Sequence, residues 1–100
     1  MRLTPNQREQ ILRAVRDHVG ADAAVWLYGS RAGDTGRSGD IDLLIGPARA
    51  VDMHRQAALH ARLERDLLLP VDVSFVDPGR GMNRFQRLVV AGAVPLEATP

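Results

Sequence analysis

Apolar residues gather in three short runs along the chain, and each run is bounded by glycine, proline, serine or aspartate. The runs cover residues 24–28, 41–45 and 71–76. Runs of this length with such borders are typical of buried β-strands, so the pattern predicts three strands. A last extended segment is predicted at 94–97, where the chain continues after Gly92.

Two longer stretches repeat their apolar residues with the period of a helix. Residues 4–19 begin with Thr4, Pro5 and Gln7, which suit an N-cap, a first-turn proline and a capping-box partner. We expect this helix to end at Gly20. Its predicted apolar stripe consists of Ile11, Leu12, Val15 and Val19.

A second helix is predicted from about Val51 to Leu69, where Pro70 ends it. Its buried face is expected to include Met53, Ala57, Leu63 and Leu67. A short third helix is predicted at 83–91, and the residues expected to face the core are Phe85, Leu88 and Val89.

The order of these elements predicts an α/β (α+β) fold, with a small mixed sheet of three or four strands and helices mainly on one face. The 100 residues are enough for one hydrophobic core but not for two, which predicts a single domain over 1–100.

Composition narrows the chemistry that the chain can support. It has no cysteine, so disulfides and thiolate sites are excluded, and it has no lysine, so a catalytic lysine is excluded as well. A net charge of +1 offers no general basis for nucleic-acid binding. We find no apolar run as long as a membrane span and no signal-peptide core, so we expect a cytoplasmic protein.

The polar connection between the first two strands carries the most specific pattern. Asp40 and Asp42 alternate with Ile41, so both carboxylates fall on one face of the second strand. Adjacent carboxylates repel unless a cation offsets them, and hard oxygen ligands suit Mg²⁺ or Mn²⁺. Gly29 lets a phosphate approach the backbone, and Ser30 could cap a short helix whose amides face an anion. The connection therefore predicts a site for a nucleoside triphosphate and a divalent ion.

The third strand adds Asp72, for which two interpretations exist. It could be an edge-strand acid that faces water, or a third carboxylate beside Asp40 and Asp42. The motif in the preceding strands favours the second. His54 and His60 are six residues apart on the second helix, which does not place them on one helical face, so we expect surface or partly buried residues.

The pattern of Gly29-Ser30, nine residues and then Asp40-Ile41-Asp42 resembles the signature of the DNA polymerase beta-type nucleotidyltransferase superfamily. The small size and the Tyr28-Gly29-Ser30-Arg31-Ala32 opening resemble the minimal nucleotidyltransferases (MNT proteins), often encoded beside a HEPN-domain toxin. The chain departs from them in a connection one residue shorter, with a glycine after Ala32 and another before Asp40. The resemblance covers most of the chain.

This resemblance implies two-metal phosphoryl transfer. Asp40 and Asp42 would hold both ions, and Asp72 would bind the catalytic ion and help to deprotonate the acceptor hydroxyl. Gly29 and Ser30 would cradle the β- and γ-phosphates.

Arg31 and Arg37 could neutralise the departing pyrophosphate, although exposed loop arginines are common and a solvated loop remains an equal alternative. The implied reaction transfers AMP from ATP, or the equivalent group from another nucleoside triphosphate, to a hydroxyl group. The implied acceptor is a HEPN toxin, which would make the chain an AMPylating antitoxin.

The sequence is therefore compatible with two functions of different classes. One is the nucleotidyltransferase, and the other is a non-catalytic module that binds a nucleotide or covers a partner's surface. The chain has no room for an acceptor-binding domain, so a protein partner or a homo-oligomer is favoured over free nucleic acid. Clustered acids favour the enzyme, because a pure binding module gains nothing from them.

Overall fold

The computed structural model describes residues 3–29 and 41–96 of the chain. Within these ranges the chain forms three helices and four strands. In chain order they are α1 (Pro5–His18), β1 (Ala24–Tyr28), β2 (Ile41–Gly46), α2 (Met53–Leu67), β3 (Val71–Phe75), α3 (Arg84–Gly92) and β4 (Val94–Leu96). Every strand and helix predicted within these ranges is present, with bounds that shift by two residues at most. The short helix predicted to follow Ser30 lies outside the described residues.

The strands form one mixed sheet in the order β3-β2-β1-β4. β1 pairs antiparallel with β2 and with β4, whereas β2 and β3 run parallel. The parallel pair is joined through α2, because parallel neighbours need a long crossover. The predicted small mixed sheet is confirmed.

The start of α1 follows the predicted capping box. The Thr4 hydroxyl accepts a hydrogen bond from the Gln7 backbone N–H at 3.0 Å, and the Gln7 side chain accepts one from the Thr4 N–H at 3.0 Å. These two bonds satisfy backbone donors that have no partner inside the helix. Pro5 occupies the first turn, as expected.

The main core lies between one face of the sheet and two helices. Alternate residues of the strands point into it, and α1 and α2 cover it from one side. Its buried members are Ile11, Ala14, Val15, Val25, Leu27, Ile41, Leu43, Ile45, Leu59, Leu63, Leu67, Val71 and Leu96. The prediction that helices cover mainly one face holds for α1 and α2, whereas no residue of α3 belongs to this cluster.

The buried face of α2 differs in part from the prediction. Leu63 and Leu67 are buried, but Met53 is 82% exposed and Ala57 is exposed too. Leu59 completes the buried stripe at a spacing of four residues. At about 100° per residue, Met53 and Ala57 lie roughly 80° and 120° away from the centre of that stripe.

The face that α3 turns inward is also rotated from the prediction. Phe85 and Leu88 are 61% and 69% exposed, and Val89 is half-buried. The one buried side chain of α3 is Gln86. Its amide donates to the Phe75 carbonyl at 3.2 Å and accepts from the Asn83 N–H at 2.9 Å, so this polar group is buried with its hydrogen bonds made.

A hydrogen-bonded ion pair joins α1 to α2. Arg62 Nη1 donates to Asp17 Oδ2 at 2.7 Å, and Arg62 Nε donates to Asp66 Oδ2 at 3.2 Å. The hydrogen bond from Arg62 lowers the pKa of Asp17 below its ordinary value of 3.8, and the positive charge of Arg62 acts in the same direction.

In the part of the chain that the structure describes, no helix is long and apolar enough to cross a membrane.

We predict that Leu63→Ala lowers the free energy of unfolding by about 2–5 kcal/mol, because it leaves a cavity in the core. Leu88→Ala, which removes the same atoms from an exposed position, should change it by about 0.5 kcal/mol or less. Urea unfolding of the two variants checks this. Equal losses would mean that the side chain of Leu88 is buried after all.

The pair between α1 and α2 should make stability depend on pH. A lowered folded-state pKa stabilises the fold above the unfolded value, and this contribution is lost as the pH falls through the folded value. Asp17→Asn should therefore be less stable than wild type at pH 7, and the difference should shrink below pH 3.8. Asp22→Asn, an exposed turn carboxylate, is the control for urea unfolding at both pH values. If the difference in stability between wild type and Asp17→Asn persisted at low pH, it would not come from the ion pair with Arg62.

Candidate active site

The candidate site lies at the end of the sheet where β1 finishes and β2 and β3 begin. Tyr28 is the last residue of β1, and Asp42 and Asp72 are the second residues of β2 and β3. Three neighbouring strands therefore bring side chains to the same sheet end. Gly29, which follows β1, and Ile41, which begins β2, lie at this end.

Register places the two carboxylates side by side. Asp42 pairs with Asp72 across the parallel β2–β3 ladder, and Tyr28 pairs with Asp42 across the antiparallel β1–β2 ladder. Neighbouring strands lie about 4.8 Å apart, and paired residues point to the same face. This face is opposite to the one from which Ile41 and Leu43 enter the core. The predicted pairing of Asp42 with the acid of the third strand is therefore geometrically possible.

Gly29 lies against the Asp42 side chain of this pair. Its φ of +77° is in the left-handed region, which glycine adopts without strain. A Cβ built on Gly29 would collide with Oδ2 of Asp42, and it would lie 3.1 Å from Cγ of the same side chain. The Asp42 carboxylate therefore occupies the space that any other residue at position 29 would need. Glycine is required here for its backbone angle and for this close approach.

The oxygen atoms at this sheet end suit a hard divalent cation. Asp42 is half-buried, whereas Asp72 is exposed. Two carboxylates in adjacent register repel each other, and a bound Mg²⁺ or Mn²⁺ would offset that repulsion while leaving coordination positions for water and phosphate. The donor set of Asp42 and Asp72 thus fits such an ion.

The remaining predicted site residues, Ser30, Arg31, Arg37 and Asp40, lie outside the described residues. Their roles stay predictions. In the ranges 3–29 and 41–96 no three His, Cys, Asp or Glu side chains form a group that could hold a metal. The expected third ligand, Asp40, directly precedes the first residue of β2.

Trp26 lies on the same face of the sheet as the acids, two residues before Tyr28 along β1. A Cβ built on Gly46 would lie 3.1 Å from Cζ3 of the Trp26 ring, so the ring lies across this glycine. The half-buried ring therefore packs along β2. Trp26 is therefore a packing residue of this face of the sheet.

Two surface cavities lie elsewhere on the described part of the chain. One, of about 600 Å³, is bounded by α1, the turn before β1, and β4. The other, of about 210 Å³, lies beside Phe75 and Pro78. Asp42 and Asp72 line neither of them. The acids stand at the end of a sheet rather than inside a described cavity.

Sequence reasoning missed two residues of α2 that contact the first residue of β3. His60 Nε2 lies 2.7 Å from the Val71 carbonyl oxygen, and Glu64 Oε2 accepts a hydrogen bond from the Val71 N–H at 3.0 Å. The spacing of four residues was visible, because it places both side chains on one face of a helix. What that face meets could be seen only in the folded chain.

Comparison with known proteins gives a consistent assignment. The family model described as a nucleotidyltransferase domain matches residues 8–89. A comparison with curated proteins found no match.

Among solved structures, one described as a minimal nucleotidyltransferase is 29% identical with a TM-score of 0.69, covering 91% of this chain and 90% of that chain. A toxin–antitoxin structure with AMP-PNP is 25% identical with a TM-score of 0.72, covering 92% of this chain and 73% of that chain.

A third solved structure holds a tri-AMPylated Shewanella oneidensis HEPN toxin in complex with an MNT antitoxin. It is 23% identical with a TM-score of 0.70, and the match covers 94% of this chain and 71% of that chain. At this identity the likeness concerns the fold. The family match spans most of the chain and includes both Asp42 and Asp72. Because of this match, the chain belongs to the nucleotidyltransferase domain family.

Proposed function

We propose that this chain is a metal-dependent nucleotidyltransferase that transfers AMP from ATP to a hydroxyl group of a partner protein. The observation that carries the proposal is the in-register pair of Asp42 and Asp72 beside Gly29. The family assignment supports it. A solved complex of an AMPylated HEPN toxin with an MNT antitoxin, which shares this fold, supports a toxin as the partner.

In the proposed reaction an acceptor oxygen attacks the α-phosphorus of ATP. A new P–O bond to the acceptor forms, the bond from the α-phosphorus to the bridging oxygen breaks, and pyrophosphate leaves. The hydroxyl proton is released to a base. The products are the AMP-modified acceptor, pyrophosphate and one proton.

The acids would hold divalent ions, which supply charge neutralisation and lower the pKa of the acceptor hydroxyl. Asp42 would bind from β2 together with the predicted ligand Asp40. Asp72, which is exposed on the edge strand β3, would bind the catalytic ion, face the acceptor and take its proton. Both strands are fixed by the core, so the carboxylates are positioned before substrate arrives.

The proposed phosphate cradle begins at Gly29, directly after the end of β1. Its backbone is in contact with the Asp42 carboxylate, so a phosphate at this turn would lie next to the metal ligands. Ser30 would supply a hydroxyl and an amide to the same phosphate, and Arg31 or Arg37 would neutralise the pyrophosphate.

A second function, binding without catalysis, is favoured by one specific observation. Phe85 and Leu88 are large, mostly exposed apolar side chains on one helix, with Arg84 and Arg87 exposed beside them. Exposed apolar residues next to arginine are common in protein interfaces. Under this function the chain would neutralise a partner by covering its surface, and the acids would be dispensable.

The first prediction from the proposed function concerns label transfer from α-³²P-ATP, with Mg²⁺ or Mn²⁺, in a lysate of the source cells. Wild type should label a discrete protein band. Asp42→Asn should lower labelling by about 100-fold or more, because it removes a charged metal ligand. Asp52→Asn, the same change at the exposed N-cap of α2, should label like wild type.

ATP labelled at the γ-position is the control against kinase activity and should not label this band. Equal labelling by wild type and Asp42→Asn would contradict the enzyme. If Asp42→Asn also protected cells from the partner as well as wild type does, the binding function would be favoured.

A second prediction uses the two glycines that have nearly the same backbone angle. Gly29 and Gly81 have φ values of +77° and +76°, but a Cβ at Gly81 would meet nothing within 4 Å. Gly29→Ala and Gly81→Ala should each cost about 1–2 kcal/mol of stability through the left-handed backbone.

Only Gly29→Ala should lose transferase activity, by about 10-fold or more, because its methyl group displaces the Asp42 carboxylate. Thermal unfolding and label transfer measured on both variants separate the two effects. Equal activity of the two variants would show that the approach of Gly29 to Asp42 has no role in the reaction.

A further inference from the structure

The first residue of β3 is held by two side chains of α2. Val71 accepts a hydrogen bond at its carbonyl from His60 Nε2 at 2.7 Å, and it donates its N–H to Glu64 Oε2 at 3.0 Å. His60 Nε2 and Glu64 Oε2 are themselves 3.4 Å apart. We call these two side chains the β3 clamp. Because a carbonyl only accepts, the hydrogen of the neutral His60 ring is on Nε2.

The clamp supplies hydrogen-bond partners to backbone groups on the edge of β3 that has no neighbouring strand. β3 is an edge strand with β2 on one side only. On that inner side, the Ile41 N–H donates to the Pro70 carbonyl at 3.0 Å. The N–H and C=O of Val71 point outward, where α2 passes. Val71 itself is buried in the core, so its backbone groups need partners other than water.

The clamp holds the residue that directly precedes the predicted metal ligand Asp72. Asp72 directly follows Val71 and pairs in register with Asp42. β3 is therefore held on its inner edge by the β2 ladder and on its outer edge by α2, at the residue before the acid. A strand held on both sides cannot drift relative to its neighbour, and the separation of the two carboxylates depends on that placement.

We propose that His60 and Glu64 are positioning residues that fix Asp72 against Asp42 for binding a divalent cation. This inference rests on the proposed function, because it assigns the clamp a role in the same site. Neither side chain contacts the cation or the substrate. The clamp acts through the backbone of Val71.

A purely structural role is the competing explanation. The clamp also blocks the outer edge of β3, and edge strands are commonly protected against pairing with other chains. Under that explanation His60→Ala would lower stability or solubility, and its effect on metal binding would not depend on the residue at position 72. The two explanations therefore differ in whether His60 and Asp72 are energetically coupled.

The test is a double-mutant cycle of His60→Ala and Asp72→Asn. The measured quantity is the affinity for Mn²⁺ alone, obtained from the electron paramagnetic resonance signal of the free ion. Removal of an outer partner of a metal ligand typically costs 10–100-fold in affinity, so His60→Ala should weaken Mn²⁺ binding by about 10-fold. Adding His60→Ala to Asp72→Asn should weaken it no further, because the group that the clamp positions is gone.

Two variants on the same helix complete the design. His60→Gln keeps a side-chain N–H for the Val71 carbonyl and should restore most of the Mn²⁺ affinity. His54→Ala removes an exposed histidine from the first turn of α2 and should bind like wild type. The exchange rate of the Val71 amide hydrogen, measured by NMR, should rise in Glu64→Ala, which removes its acceptor.

Each outcome decides the proposal. Equal weakening of Mn²⁺ binding in the wild-type and Asp72→Asn backgrounds would overturn it, as would unchanged affinity in His60→Ala. The measurement of Mn²⁺ binding does not need turnover. A wild-type protein whose Mn²⁺ affinity depends on the clamp but that labels no acceptor would therefore refute the proposed function alone. If transfer is active, His60→Ala should lower kcat by about 10-fold and leave the KM for ATP within about twofold.

Discussion

The parallel register between β2 and β3 is the constraint on which the rest of the molecule depends. It aligns Asp42 with Asp72 on one face and puts Ile41, Leu43 and Val71 into the core on the other. A slip by one residue would turn Asp72 inward and Val71 outward, because side chains alternate along a strand. The hydrophobic core therefore specifies the geometry of the acids. Along β2 and β3, the apolar residues that stabilise the sheet alternate with the acids proposed for catalysis.

The crossover through α2 makes this register possible. The 15 residues of the helix span about 22 Å, which is close to the roughly 20 Å spanned by the six residues of β2. The chain thus returns to the end of the sheet from which β2 started. α2 ends at Leu67, and the next residue, Leu68, caps the helix with a φ of +57°, which is left-handed and unusual for a leucine. This turn directs the chain through Pro70 into β3, and the same helix then contacts Val71 through His60 and Glu64.

Much of this architecture could be predicted because its signals are local. The Thr4 capping box, the strand borders and the position of Asp42 depend on residues close in sequence. The inward faces of α2 and α3 were predicted less well. Met53 and Phe85 are apolar but exposed, while Gln86 is buried because Phe75 and Asn83 satisfy its amide. Apolar character alone does not fix the rotation of a short helix. The clamp on β3 could not be predicted, since it joins residues of α2 to a strand whose position only the fold determines.

The structure also changes how the glycine of the Gly-Ser motif is understood. The sequence alone predicts that Gly29 allows a phosphate to approach the backbone and that Asp42 binds a metal ion, as two separate halves of a site. In the fold the Asp42 carboxylate fills the space beside the Cα of Gly29, and Tyr28 pairs with Asp42 in the ladder directly before it. A side chain at position 29 would therefore move the proposed metal ligand before it could obstruct a phosphate. The missing Cβ couples the turn after β1 to the acid of β2, so the two halves of the motif form one physical unit. The joint presence of Gly29 and Asp42 in a sequence is for this reason a stronger indication of the site than either residue alone, because a side chain at position 29 would displace the acid.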